Sequence, residues 1–82
     1  MNGAELARSL AAERLALPAA RLEAATTLRE AGIDSLAAIE LIIAIEERLK
    51  ISFPERDLQS VRSFDDLAAA IERLVAQKNA GS

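Results

Sequence analysis

The segment from Ser35 to Lys50, SLAAIELIIAIEERLK, constrains the fold more than any other part of the chain. Its apolar residues recur at helical spacing and, at about 100° per residue, fall into two groups on opposite sides of a helix. The group typical of a core face is Ala38, Leu41, Ile42, Ile45 and Leu49. The other group, here called the outer stripe, is Leu36, Ile39 and Ile43. A chain of 82 residues cannot easily bury both sides of one helix, so the outer stripe predicts an exposed docking surface, unless a neighbouring helix or loop covers it.

The composition indicates what kind of core this helix joins. Hydrophobic residues make up 51% of the chain and aromatic residues only 2%, which favours an aliphatic helical bundle. The alternating pattern typical of strands is missing, and there is neither Cys nor His to form a disulfide or an ordinary thiolate or imidazole metal site. We therefore predict an all-α fold, a small four-helix bundle of three main helices and one short helix, with a long loop between the first and second helices.

The N-terminal third of the chain predicts one helix followed by that loop. Asn2 or Gly3 opens the helix, and Leu17 ends it because a residue that precedes a proline avoids the helical region. Residues 18–33 have poor periodicity and are interpreted as a long ordered loop. Its apolar anchors are Leu17, Leu22 and Leu28.

The C-terminal third predicts a short helix and a long one. Pro54 has a fixed φ suited to the first position of the short helix. Ser63 and Asp66 approximate a capping box, in which each residue's side chain bonds the other's backbone N–H, at the start of the last helix. The sequence thus predicts one domain over residues 1–78 and a flexible C-terminal tail over residues 79–82.

An Asp-Ser pair stands at the entrance to the helix with two apolar sides. Gly32 can adopt a positive φ before it, and Asp34 is a predicted N-cap, the residue whose side chain accepts from the first free amides of a helix. Ser35 is not a credible hydrolase nucleophile, because the chain has no His to act as its base. A phosphate attached to Ser35 would, however, lie favourably at a helix N-terminus.

These residues carry a family resemblance. LREAGIDSL, from Leu28 to Leu36, resembles the attachment motif of the acyl carrier and peptidyl carrier proteins, the phosphopantetheine-binding carrier domains. ELIIAIEERLKISFP resembles their second helix with the loop that follows, and VRSFDDLAAAI resembles their last helix. The resemblance implies that Ser35 receives a covalent 4'-phosphopantetheine arm whose thiol carries cargo as a thioester. It also implies that Asp34 and Leu36 belong to the cofactor site, with Asp34 helping to hold the transferase's metal ion.

The resemblance further implies a carrier rather than an enzyme, with no metal site of its own. The implied partners are a phosphopantetheinyl transferase, an acyl- or aminoacyl-loading ligase or adenylation enzyme, and a downstream synthase, transferase or thioesterase. Apolar anchors would supply most of the affinity for these enzymes, and carboxylates would set orientation and encounter rate. The residues expected to contact them are Leu36, Ile39, Glu40, Ile43, Glu46 and Glu47.

Basic residues suggest which pathway such a carrier serves. Four of them dilute the acidic character that bacterial fatty-acid carriers usually display on the second half of the chain: Arg48, Lys50, Arg56 and Arg62. We therefore expect a carrier for polyketide, nonribosomal peptide or aminoacyl chemistry rather than for bulk fatty-acid synthesis.

The remaining expectations concern location and rival functions. The net charge of −3 argues against nucleic-acid binding, no apolar run is long enough for a membrane span, and no signal-peptide pattern is present, so we expect a cytoplasmic monomer. The main rival is a helical interaction module that binds partners through the outer stripe without covalent modification. A helix-turn-helix DNA binder would need a basic recognition helix, and a stand-alone enzyme would need catalytic residues that the sequence does not offer.

Overall fold

The computed structural model describes residues 3–80 and has an all-α fold, as predicted. The five helices of this part of the chain are α1 (Gly3–Leu15), α2 (Ala19–Ala24), α3 (Ser35–Leu49), α4 (Glu55–Ser60) and α5 (Phe64–Ala80). Helix α1 packs against α2, α3 and α5, so the three long helices surround a common core. No helix within residues 3–80 combines the length and the apolar character needed to cross a membrane.

The core face predicted for α3 is confirmed. Leu41 and Ile45 are fully buried and Ile42 nearly so, while Ala38 and Leu49 are half-buried at the margins. They share one hydrophobic core with Phe64 of α5, one of the largest fully buried side chains. Because this core takes up one side of α3, the outer stripe is left on the other.

The predicted loop over residues 18–33 contains a helix that the sequence pattern did not indicate. Helix α2 is six residues long and begins after Pro18, which has extended backbone angles and serves as its N-cap. Its one buried residue is Leu22, and a single buried side chain cannot produce the recurrence that identifies longer helices. The predicted anchoring is nevertheless confirmed for Leu22 and Leu28, which are buried, and Leu17 is half-buried.

The ends of the later helices agree with their predicted signals, with small shifts. Pro54 is the N-cap of α4 rather than its first residue. At the start of α5, Ser63 Oγ accepts from Asp66 N at 3.0 Å and Asp66 Oδ2 accepts from Ser63 N at 3.1 Å, which confirms the capping box. Helix α5 continues to Ala80, so residues 79 and 80 of the predicted tail are helical. The rest of that tail, residues 81–82, lies outside the described residues, and so does Asn2, the alternative start predicted for the first helix.

Candidate attachment site at the start of α3

Ser35 is the first residue of α3, and its side chain is exposed. The preceding Asp34 has extended backbone angles, and its Oδ1 accepts from Ala37 N at 2.8 Å. This bond satisfies one of the free amides at the helix start, which confirms the predicted N-cap. Ser35 therefore presents its hydroxyl to solvent from a position fixed by the cap.

Gly32 supplies the turn into this site. Its φ is +88°, a conformation that residues with a Cβ rarely adopt. A Cβ added there would also lie 3.2 Å from a guanidinium nitrogen of Arg21. The glycine that the sequence singled out is thus required by the backbone conformation.

Residues 25–34, here called the approach segment, are held by a network that sequence reasoning missed. Thr27 Oγ1 accepts from Glu30 N at 3.1 Å, and Glu30 Oε1 accepts from Thr27 N at 3.0 Å, so the two residues form a capping box. Glu30 Oε1 also accepts from the Thr26 hydroxyl at 2.6 Å and from Thr26 N at 2.9 Å. The hydroxyl of Thr26 and the amides of Thr27 and Thr26 stabilise the carboxylate and lower the pKa of Glu30 to about 2. The Thr-x-x-Glu spacing at residues 27–30 is the signal that could have revealed this box.

The approach segment is also joined to the start of α5. Leu28 N donates to Arg62 O at 3.0 Å, and Thr27 forms an isolated antiparallel bridge with Ser63. The bridge places the Thr27–Glu30 box beside the box that begins α5. The chain that leads to Ser35 is therefore fixed against a long helix.

The outer stripe is exposed, as predicted, and no neighbouring helix or loop among residues 3–80 covers it. The exposed fractions are 67% for Leu36, 50% for Ile39 and 48% for Ile43. Large apolar side chains that remain this accessible on one side of a helix are typical of a docking surface.

The three carboxylates predicted to flank the outer stripe differ in their surroundings. Glu40 and Glu47 are exposed. Glu46 is half-buried, and its Oε2 accepts from Phe53 N at 2.8 Å. Glu46 therefore has a structural role that the sequence did not indicate, because it holds the segment that follows α3.

A groove of about 970 Å³ lies between the start of α3, the approach segment and α4. Its lining includes Ser35, Ile39 and Ile42 from α3, and Leu58 and Val61 from the region of α4. Leu58 is 43% exposed, so the apolar surface of the outer stripe continues across the groove onto α4. The sequence pattern did not indicate this surface.

The start of α3 thus combines an exposed serine, a capped helix N-terminus, an apolar stripe and an open groove in a small helical protein. The family model described as "phosphopantetheine attachment site" matches residues 5–71. The chain belongs to this phosphopantetheine-binding carrier family, which confirms the resemblance read from the sequence.

Several curated proteins similar to this chain are named acyl carrier proteins. The chain is 31% identical over 71 residues to the acyl carrier protein of Akkermansia muciniphila, a match that covers 85% of this chain and 89% of that protein. It is 39% identical over 69 residues to acyl carrier protein 4, chloroplastic, of Arabidopsis thaliana, covering 83% and 50%. For acyl carrier protein 3, chloroplastic, of Hordeum vulgare the identity is 32% over 68 residues, covering 82% and 52%. The chain thus spans about half the length of these plant relatives.

The prosthetic group of the family is covalent 4'-phosphopantetheine, and the residues at the start of α3 fit it. The Ser35 side chain is accessible, and a phosphate on its oxygen would lie at the positive end of the α3 dipole. Within residues 3–80, no group of three or more carboxylates could hold a metal ion.

Proposed function

We propose that this chain is an acyl carrier whose Ser35 bears the phosphopantetheine arm and that it presents acyl groups to a series of partner enzymes. The arm, when attached, supplies the terminal thiol that carries the acyl group as a thioester. The observation that supports this most is the exposed Ser35 hydroxyl directly after the Asp34 cap, inside the region that matches the family. A chain without Cys can then work through a thiol that it does not encode.

Each residue at the start of α3 has a separate part in this proposal. Ser35 provides the oxygen to which the arm is attached, and its exposure gives a transferase access. Asp34 uses Oδ1 for the helix cap, which leaves Oδ2 to help hold the transferase's metal ion. Leu36, the most exposed residue of the outer stripe, lies next to the attachment point and would contact the transferase first.

The docking surface in this proposal is the outer stripe with Glu40 and Glu47 beside it. The apolar anchors supply affinity, and the carboxylates orient a basic partner during encounter. Glu46 adds negative charge to the same region while remaining bonded to Phe53. A carrier must leave one enzyme for the next, so we expect each interface to bury less than about 1,200 Å² in total. The partners are a phosphopantetheinyl transferase, a loading enzyme and a downstream synthase, transferase or thioesterase.

The names of the relatives support an acyl cargo over an aminoacyl one. The preference for polyketide or nonribosomal peptide chemistry over bulk fatty-acid synthesis stays a prediction from the basic residues, and these names give it no support. The cytoplasmic location stays a prediction, since the relatives include chloroplastic and bacterial proteins. The monomeric state stays a prediction as well.

The alternative is a helical interaction module that binds partners through the outer stripe without modification. It is compatible with the exposure of Leu36, Ile39 and Ile43, which a carrier and a non-covalent module would share. The two functions differ in what happens to Ser35, because only a carrier is modified there.

The deciding experiment is intact mass spectrometry after incubation with a broad-specificity phosphopantetheinyl transferase and coenzyme A. The unmodified protein and the Ser52→Ala control should each gain one arm, since Ser52 is exposed outside the site. Ser35→Ala should gain none, and its circular dichroism spectrum should match that of the parent protein. An arm on Ser35→Ala, or a folded parent protein that never gains one, would overturn the proposal.

A further inference from the structure

Helix α4 is attached to the rest of the protein in an unusual way. Asp57 is its only buried residue, and its largest apolar side chain, Leu58, is 43% exposed. Within residues 3–80, the hydrogen bond that Arg73 of α5 donates to Asp57 is the one that joins α4 to another helix. Buried Phe53 before α4 and partly buried Val61 after it hold the two ends of this segment. The helix itself is held against α5 by the polar contact rather than by burial of its own apolar side chains.

The Asp57–Arg73 ion pair joins a nearly buried carboxylate to a partly exposed guanidinium. The Asp57 side chain is only 9% exposed, so its carboxylate would be costly to leave without a partner. The hydrogen bond from Arg73 lowers the pKa of Asp57, and the same bond raises the pKa of Arg73, so both groups are charged at neutral pH. The Arg73 side chain is 42% exposed, and ion pairs that solvent can reach contribute little net free energy. Such a contact favours one arrangement of α4 without locking it.

Movement of α4 would change the groove beside Ser35. Glu55, Leu58 and Gln59 of α4 line one side of this groove, and Ile39 of α3 lines it as well. The other boundary, the approach segment, is fixed by its capping box and by its bridge to the start of α5. Any change in groove width must therefore come mainly from α4.

We infer that the Asp57–Arg73 ion pair is a positioning contact that holds α4 against α5 and thereby sets the separation of Leu58 from Ile39 across the groove. With the pair intact, the apolar surface continues from α3 onto α4. With the pair broken, α4 moves away from α3 and the groove widens next to the attachment point. The consequence for a group attached at Ser35 rests on the proposed function, whereas the movement of α4 does not.

Amide hydrogen exchange of the full unmodified chain, followed residue by residue by NMR, tests the attachment of α4. In Arg73→Gln the amides of α4 should exchange about five-fold faster, the factor that corresponds to loss of a partly exposed ion pair. The amides of α1 and α3 should not change. Arg73→Lys, which keeps the charge, should restore part of the protection. Arg48→Gln, an equal loss of charge at an exposed position of α3, should have no effect on α4.

The width of the groove can be measured directly because the chain has no native Cys to interfere with labelling. Spin labels on Glu40→Cys and Gln59→Cys, both exposed positions, report the distance between α3 and α4. Adding Arg73→Gln should lengthen or broaden this distance distribution, and adding Arg48→Gln should leave it unchanged.

Two results would overturn the inference: unchanged exchange and distances in Arg73→Gln, or an equal loss of protection in every helix, which would make the pair a general stabiliser. Neither measurement uses the arm. If Ser35 is never modified, the proposed function fails and this inference is unaffected. If the α4 measurements are unchanged in Arg73→Gln, this inference fails and the proposed function is unaffected.

Discussion

The two segments that flank α3 are held in different ways. Before α3, the approach segment is stabilised by a capping box, a backbone bridge to α5 and the buried side chain of Leu28. After α3, residues 50–60, here called the wall segment, are held by the buried side chains of Ile51 and Phe53, by the bond from Phe53 N to Glu46 and by the Asp57–Arg73 ion pair. The approach segment therefore has several hydrogen bonds besides its buried leucine, whereas α4, in the wall segment, buries only Asp57 and is joined to α5 by one ion pair.

Under the proposed function, this difference suits a carrier that presents one fixed atom to several enzymes. The proposed attachment point would need a defined position, because a transferase would have to reach the Ser35 oxygen in a predictable geometry. The wall of the groove has a different requirement, since cargo and partner surfaces vary. Hydrogen bonds hold the first, and we expect α4 to adjust because one partly exposed ion pair joins it to α5.

The largest expected effect on stability comes from a comparison of one leucine in each segment. Leu28→Ala removes a side chain that is 5% exposed and should destabilise the protein by about 2–5 kcal/mol. Leu58→Ala, the matched substitution in the wall segment, should cost less than about 1 kcal/mol because that side chain is 43% exposed. Urea unfolding gives both values. Similar losses for the two variants would mean that the wall segment is as firmly packed as the approach segment.

A second test uses pH. The pKa of Glu30 is about 2 in the folded protein, below its ordinary value of 4.5, so the unfolded chain binds the proton more readily. Its contribution to stability is fully present above about pH 4.5 and is lost progressively as the pH falls towards 2. Glu30→Gln should therefore be less stable than the parent protein at neutral pH, and its stability should fall less between pH 5 and pH 2.

The control for this test is Glu23→Gln, which removes an exposed carboxylate just outside the approach segment. It should leave the acid dependence of unfolding close to that of the parent protein. If Glu30→Gln instead loses stability in parallel with the parent protein over the same range, the network around Glu30 does not hold the approach segment.

The sequence predicted the features that depend on local spacing. Helices α3 and α5 are long enough for their apolar recurrence to be clear, and the caps at Asp34 and Ser63 follow from residue type and the next three positions. The attachment motif around Ser35 is local in the same way. The sequence pattern did not indicate helix α2, because six residues with one buried side chain, Leu22, show no helical recurrence of apolar residues.

The contacts that sequence reasoning could not find pair residues that no short pattern connects. Asp57 and Arg73 lie sixteen positions apart on different helices, and their pairing follows only from how α4 packs on α5. A helical projection of α3 groups Glu46 with the surface carboxylates. It cannot show the bond to Phe53 N, because Phe53 lies seven positions later, beyond the end of the helix. The exposure of Leu58 likewise depends on where α4 lies, not on its sequence.

The smallest effect separates two neighbouring carboxylates of α3. Glu46→Lys should destabilise the protein by about 1–2 kcal/mol, because it removes the acceptor for Phe53 N and so loosens the wall segment. Glu47→Lys should leave stability unchanged, since Glu47 is exposed, and should instead slow modification of Ser35 by a transferase with a basic docking surface.

The slowing of Ser35 modification in Glu47→Lys should be stronger at low salt than at high salt, because screening weakens interactions between exposed charges. Unfolding curves and arm-transfer rates at two ionic strengths measure the two effects separately. A Glu47→Lys rate that is reduced equally at both ionic strengths would mean that this residue acts through packing at the interface rather than through its charge.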